Sequence, residues 1–169
     1  LSLIRPLVLS FIIGILFLII NEYIFNFSNY LLTPATQIQF HFKEYFFTRI
    51  IGVPAGLVNL VFLGWFFGMQ KPKSVLIQTA VINFTNVTCS IYFSIFLDLG
   101  VFGIALGSVF AQVTGLISSI LIILSHYKKI SLNNIKFKRI FLLKPLLELF
   151  NISKDLFLRT FFLILAQTF

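Results

Sequence analysis

Acidic side chains are scarce in this sequence. Its 169 residues hold five aspartates and glutamates against 13 lysines and arginines. Paired-carboxylate chemistry needs two acids brought together, and these are too few and too peripheral to the apolar runs to supply them. A single cysteine, Cys89, rules out a disulfide framework or a thiolate metal site built from this sequence. The two histidines, His41 and His126, are far apart and fall outside the long apolar runs. A structural or solvated role is expected of both, rather than metal ligation. No nucleophile, base and orienting group come together, so neither an enzyme nor a cofactor site is expected. Charge as a whole is short: 11% of residues are charged, against roughly 25% in soluble globular proteins.

What is present is apolar. Hydrophobic residues make up 59% of the sequence and the mean hydropathy is +1.02. The 23 phenylalanines are a compositional bias that carries no functional reading. The net charge of +8 does not point to nucleic acid, because the basic residues sit in the gaps between apolar runs, where cytoplasmic loops carry them. The expected fold class is all-α, a polytopic transmembrane helical bundle.

Spans are expected over about 3–25, 45–68, 74–97 and 101–124, within a first unit 1–125. Asn26 to Glu44 reads as an extramembrane connection with a turn at Thr33-Pro34. A basic, acid-poor linker, 126–154, follows the fourth span, and a further helix starts within 155–169. The sequence opens without methionine and stops inside an apolar run, so an internal fragment of a longer membrane protein is expected. No small-residue cleavage site follows the first run, which argues against a signal peptide. With the turn MQKPK (69–73) on the cytoplasmic side, alternate crossings put Arg5 and the basic linker there too, as the positive-inside rule requires.

Within the second expected span, Pro54 predicts a kink. Gly52-Gly56 and Gly64-Gly68 predict close helix approach. Arg49 lies near its end and can snorkel to head groups. In the fourth, Gly103, Gly107, Ala111 and Gly115 form a ridge of small residues beside a polar edge of Ser108, Gln112 and Ser119.

The third span, SVLIQTAVINFTNVTCSIYFSIFL (74–97), contains no charge, yet Thr79, Asn83, Asn86, Ser90 and Ser94 recur at helical spacing. On a helix they form one polar stripe, which hydrocarbon cannot satisfy. It must face other helices, as interhelical hydrogen-bond contacts, or a wet cavity on a substrate path. The triplets Asn83-Phe84-Thr85 and Asn86-Val87-Thr88 match the glycosylation pattern but fall inside the span.

YFFTRIIGVPAGLVNLVFLGWFFGMQ (45–70) resembles the fourth-helix signature of multidrug and toxic compound extrusion transporters, in particular their branch named after a DNA-damage-inducible protein. The pattern is carried by an aromatic pair, Arg49, Gly52, Pro54-Ala55, Asn59, Leu63-Gly64-Trp65, Gly68 and Gln70. The third span resembles that family's fifth helix through Asn83 and Asn86. The fourth resembles its sixth through Gly103, Ala105, Leu106 and Ala111, and SKDLFLRT (153–160) resembles the start of its seventh.

The resemblance implies twelve helices in two lobes, of which this chain is part of the N-terminal one, about helices three to seven. It implies export of small cationic or amphipathic compounds by alternating access, coupled to H+ or Na+, in a multi-pass protein of the cell's inner (plasma) membrane. The implied partners are the bilayer, an organic cation and the coupling ion, with no nucleic acid, and the full-length protein is expected as a monomer. The implied cavity residues are Asn59, Asn83, Asn86, Ser90 and Gln112. Gly52, Pro54, Gly56, Gly103 and Gly107 serve bending and packing.

Two departures bear on coupling. Ser90 stands where the family has aspartate, and Gln112 where it often has glutamate; neither side chain exchanges a proton near neutral pH. A coupling acid is therefore expected elsewhere, on the first helix or in the other lobe. Phe62, Phe66 and Phe67 are expected at the lipid face or interface, with contact to a cationic compound as the alternative. Rival readings are a lipid-linked oligosaccharide flippase of the same superfamily and a non-transporting membrane interaction subunit.

Overall fold

The computed structural model describes residues 3–32 and 36–126. The Thr33-Pro34 turn, the linker beyond His126 and the start of a further helix at 155–169 lie outside the described residues. The described part is helical throughout: α1 (Ile4–Ile19), α2 (Asn21–Leu32), α3 (Thr36–Ile51), α4 (Val53–Gly68), α5 (Pro72–Ile91) with a π-helical end over Tyr92–Phe96, and α6 (Gly100–His126). Two helices, Pro72–Phe96 and Gly100–Ser125, are long and apolar enough to cross a membrane, or up to four if each bent pair counts as one span.

The burial pattern is that of a protein in lipid. Buried polar side chains (Ser10, Thr48, Asn59, Ser74, Gln78, Ser108 and Ser119) outnumber the buried apolar ones, Ile50, Phe62, Phe66, Ala105 and Ala111. Phe11, Leu60, Leu76, Phe84 and Leu121 are exposed. Such an inversion is unfavourable in water and favourable in hydrocarbon, which cannot satisfy hydroxyls and amides. Several hydroxyls bond back to their own helix: Ser10 to the Leu7 carbonyl at 2.9 Å, Thr48 to that of Glu44 at 2.8 Å and Ser119 to that of Gly115 at 2.8 Å.

The first apolar run does not continue straight to residue 25. It bends by 69° between α1 and α2. At the bend the Asn21 amide donates to the Leu18 carbonyl at 2.8 Å, meeting one of the carbonyls at the end of α1. The stretch expected as a connection, 26–44, is largely helical. Phe25 of α2 lies 5.7, 5.4 and 5.2 Å from the rings of Phe42, Phe46 and Phe47 of α3. That aromatic cluster ties the two helices together.

Between α3 and α4 the axis bends by 50°. Pro54 lies in the first turn of α4, where its missing donor costs little, and its ring cannot continue α3 past Gly52. The Gly52 N–H instead closes a tight turn on the Arg49 carbonyl at 3.1 Å. α1 crosses α4 at this place. A Cβ on Gly14 would stand 2.5 Å from the Pro54 Cα, a separation that only glycine permits.

α4 ends in a Schellman turn. Lys71 N–H donates to the Phe66 carbonyl at 3.0 Å and Gln70 N–H to that of Phe67 at 2.9 Å. Gln70 takes the left-handed position at φ 54°. α5 and α6 then form the most extensive helix pair. A Cβ at Gly103 would meet the Phe93 backbone at 2.6 Å, and one at Gly107 would overlap Ser90. Gly64 and Gly68, expected to mediate close approach, have nothing within 4 Å among the described residues. Phe62 and Phe66 are not at the lipid face: both are buried, and Phe67 alone of the three is exposed.

Candidate functional site

Two clusters of uncharged polar groups lie where α4, α5 and α6 meet. The first joins one amide from each helix. Asn59 of α4, only 2% exposed, donates through Nδ2 to the Gln112 backbone carbonyl at 2.8 Å and to Gln112 Oε1 at 2.9 Å. Gln78 of α5, fully buried, donates through Nε2 to the carbonyl and Oδ1 of Asn59, both at 3.3 Å. Gln78 Oε1 is buried without a partner among the described residues. The amides therefore run in one direction, from Gln78 through Asn59 to Gln112. Asn59 and Gln112 line a cavity of about 560 Å³ that begins at the α3–α4 break, with Arg49, Gly52 and Thr79 also on its wall.

The second cluster is built from α5 and α6. Asn86 Oδ1 accepts from the hydroxyls of Ser90 at 3.1 Å and Ser108 at 3.4 Å. Both hydroxyls also lie 3.3 Å from the Ile104 carbonyl. Asn86, Ser90 and Ser94 line a second cavity of about 470 Å³ beside the π-helical turn. That turn is closed by Leu97 N–H on the Tyr92 carbonyl at 3.2 Å. Such wide turns recur at functional positions because they release a carbonyl from the regular ladder. Gly107 brings the α6 backbone against Ser90 and so sets the depth at which the cluster forms.

The polar stripe of α5 thus divides. Asn86, Ser90 and Ser94 are half-buried at the α6 side, whereas Thr79 and Asn83 are exposed. Asn83 lies on a separate, shallow cavity with Phe67, Pro72 and Leu76. Of the expected cavity residues, Asn59 and Gln112 come together in one cluster and Asn86 and Ser90 in the other; Asn83 joins neither. Gly52 and Pro54 stand at the α3–α4 break. A Cβ on Gly56 would stand 3.6 Å from the Gln112 side chain, an ordinary contact distance.

Gln78 escaped the sequence reading. It precedes Thr79 by one residue, so it points about 100° away from the stripe. A second polar row, Ser74 and Gln78 at a four-residue step, was its signal, and both are buried.

Chemically these clusters offer hydroxyls, amides and backbone carbonyls, with no group that exchanges protons near neutral pH. Among the described residues no three His, Cys, Asp or Glu side chains are placed to hold a metal. His41 Nδ1 lies 3.8 Å from Glu44 on the exposed side of α3, away from both cavities.

No family model matches the sequence, and no solved structure matches it. It is similar to DNA damage-inducible protein F of Escherichia coli (strain K12), at 26% identity over 122 residues, which is 72% of this chain and 27% of that protein. The chain spans little more than a quarter of the length of the curated relative it matches. The match and the all-helical, largely apolar fold support a link to the multidrug and toxic compound extrusion superfamily of secondary transporters, and a membrane setting, at that level.

Proposed function

We propose that this chain is part of the N-terminal lobe of a secondary active transporter that exports small cationic or amphipathic compounds by alternating access. The observation that carries the reading is the three-helix amide cluster of Gln78, Asn59 and Gln112 opening on a cavity inside an otherwise apolar bundle. Polar groups are costly at that depth and mark a path for ions or substrate. Asn86, Ser90 and Ser108, with the Ile104 carbonyl, supply oxygens for a monovalent cation or a substrate polar group. Asn83, exposed here, is in this reading available to the parts of the transporter beyond the described residues. Coupling to H+ or Na+ rests on an acid elsewhere in the intact protein, since Ser90 and Gln112 carry none.

A lipid-linked oligosaccharide flippase asks for a cavity rich in cations. Arg49 is the one charged residue on the described wall of the larger cavity, so the exporter reading is preferred.

The test is efflux of a cationic dye from vesicles containing the intact protein, driven in turn by H+ and Na+ gradients. Asn86→Ala should lower efflux about tenfold or more, the order expected for loss of a positioned polar contact. An unchanged rate and unchanged ion dependence would sink the site assignment.

A further inference from the structure

We infer that the cavity at the α3–α4 break binds an anionic amphiphile: a carboxylate or phosphate on the Arg49 guanidinium, and an apolar chain along Leu57, Leu60 and Leu63. The inference goes beyond the transport reading by assigning this cavity to anionic amphiphiles rather than to bare organic cations, and it rests on that reading only for the claim that the cavity is used.

Three observations carry it. Arg49 is half-buried on the cavity wall, and among the described residues it has neither an ion pair nor a hydrogen bond. A guanidinium is a fixed charge with five donors, and out of water it calls for an oxyanion. The remaining polar wall also offers donors. Both Gln112 oxygens already accept from Asn59 Nδ2, which leaves the Gln112 amide N–H groups for a ligand. Among the described residues no acid lines the cavity, so a bare organic cation meets a positive charge and no counter-charge there.

The layout then sets the shape. Arg49 precedes Asn59 by ten residues, about 15 Å along a straight helix, and less across the 50° bend. Charge stands at the break, Gln112 lies level with Gly56 and Asn59, and Leu57, Leu60 and Leu63 continue the same wall along α4. A volume of about 560 Å³ falls within the usual range for a small-molecule site.

Calorimetric titration of the intact protein in neutral detergent, with decanoate, decyl phosphate, decanol and decyltrimethylammonium, tests the inference. The two anions should bind about tenfold or more tightly than the cation. Arg49→Gln should weaken both anions about tenfold, leave decanol within about twofold, and be rescued largely by Arg49→Lys. Should Arg49→Gln fail to fold, Gln112→Glu serves instead. It keeps the acceptor for Asn59 but replaces the donor, and it should weaken decanoate and favour the cation. Weaker decanoate binding in phosphatidylglycerol nanodiscs than in phosphatidylcholine ones would identify a lipid head group as the source of the same chemistry. Decanoate affinity untouched by both substitutions, or equal affinity for all four probes, would overturn the inference. Intact dye efflux beside that result would leave the transport reading standing. Absent efflux beside Arg49-dependent decanoate binding would remove the transport reading and keep the site.

Discussion

Asn59 and Gln112 are joined twice: one Asn59 amide nitrogen reaches both the backbone carbonyl of Gln112, at 2.8 Å, and its side-chain oxygen, at 2.9 Å. The double contact fixes the rotation of α4 against α6, because each N–H has one place to go. It also engages both oxygens of Gln112, while the amide N–H groups of that side chain take no part in the contact.

Replacing Asn59 should therefore cost more than one hydrogen bond. Asn59→Ala removes the donor to Gln112 and the acceptor for Gln78. Interhelical bonds in membranes average about 0.6 kcal/mol, with a maximum near 1.7 kcal/mol, so a loss of about 1–2 kcal/mol is expected from the pair. Asn59→Asp should be worse, since it sets oxygen against the two Gln112 oxygens. Thermal unfolding of the purified protein in detergent ranks the two.

Gln78 predicts a smaller effect. Its Oε1 is buried and unpartnered, and its two donor contacts are long at 3.3 Å. Gln78→Met keeps the volume and removes a polar atom that nothing satisfies. Stability should stay within about 1 kcal/mol of the parent, on either side. A loss beyond about 2 kcal/mol would show that Gln78 Oε1 has a partner in the working protein.

How much of this was legible beforehand follows from what a periodic pattern encodes. Apolar runs of membrane length gave the helices and the all-α class, and Pro54 marked where α3 yields to α4. The α1–α2 bend was not legible, because no proline or glycine marks it; the Asn21 amide meets the Leu18 carbonyl there. Helix over 26–44 was hidden by polar composition; the pairing of Phe25 with Phe42, Phe46 and Phe47 that holds it is a contact between helices. The stripe on α5 put Asn86 and Ser90 on one face, but a helical wheel does not reveal where the neighbour lies. Hence Asn83, on the same stripe, is exposed, while Gln78, off it, is the most enclosed amide of the site. Gly64 and Gly68 show the same limit: spacing permits close approach, and here no described helix makes use of it.

The glycines separate cleanly by substitution. Gly107→Ala drives a methyl group into the backbone and hydroxyl of Ser90. Overpacking of that kind costs roughly 1–3 kcal/mol and should also open the Asn86–Ser90–Ser108 cluster. Gly64→Ala meets nothing within 4 Å and gains helix propensity of about 1 kcal/mol at most. Gly107→Ala should lower the unfolding temperature and the efflux rate together. Gly64→Ala should leave efflux unchanged and raise stability or leave it unmoved. A destabilised Gly64→Ala would mean that another helix packs there in the intact protein.

Gln70 offers a test of the turn itself. It holds the left-handed position of the Schellman motif at φ 54°, where a side chain costs about 1–2 kcal/mol relative to the right-handed region and glycine is the usual occupant. Gln70→Gly removes that cost but loosens the unfolded chain, which returns part of the gain. A net stabilisation of about 0.5–1 kcal/mol is expected, while Gln70→Val, with its branched Cβ, should destabilise by at least as much. Both bonds of the turn use the backbone of residues 70 and 71, so neither substitution removes a donor. Equal unfolding temperatures for Gln70→Gly and Gln70→Val would show that the left-handed turn does not form in the membrane.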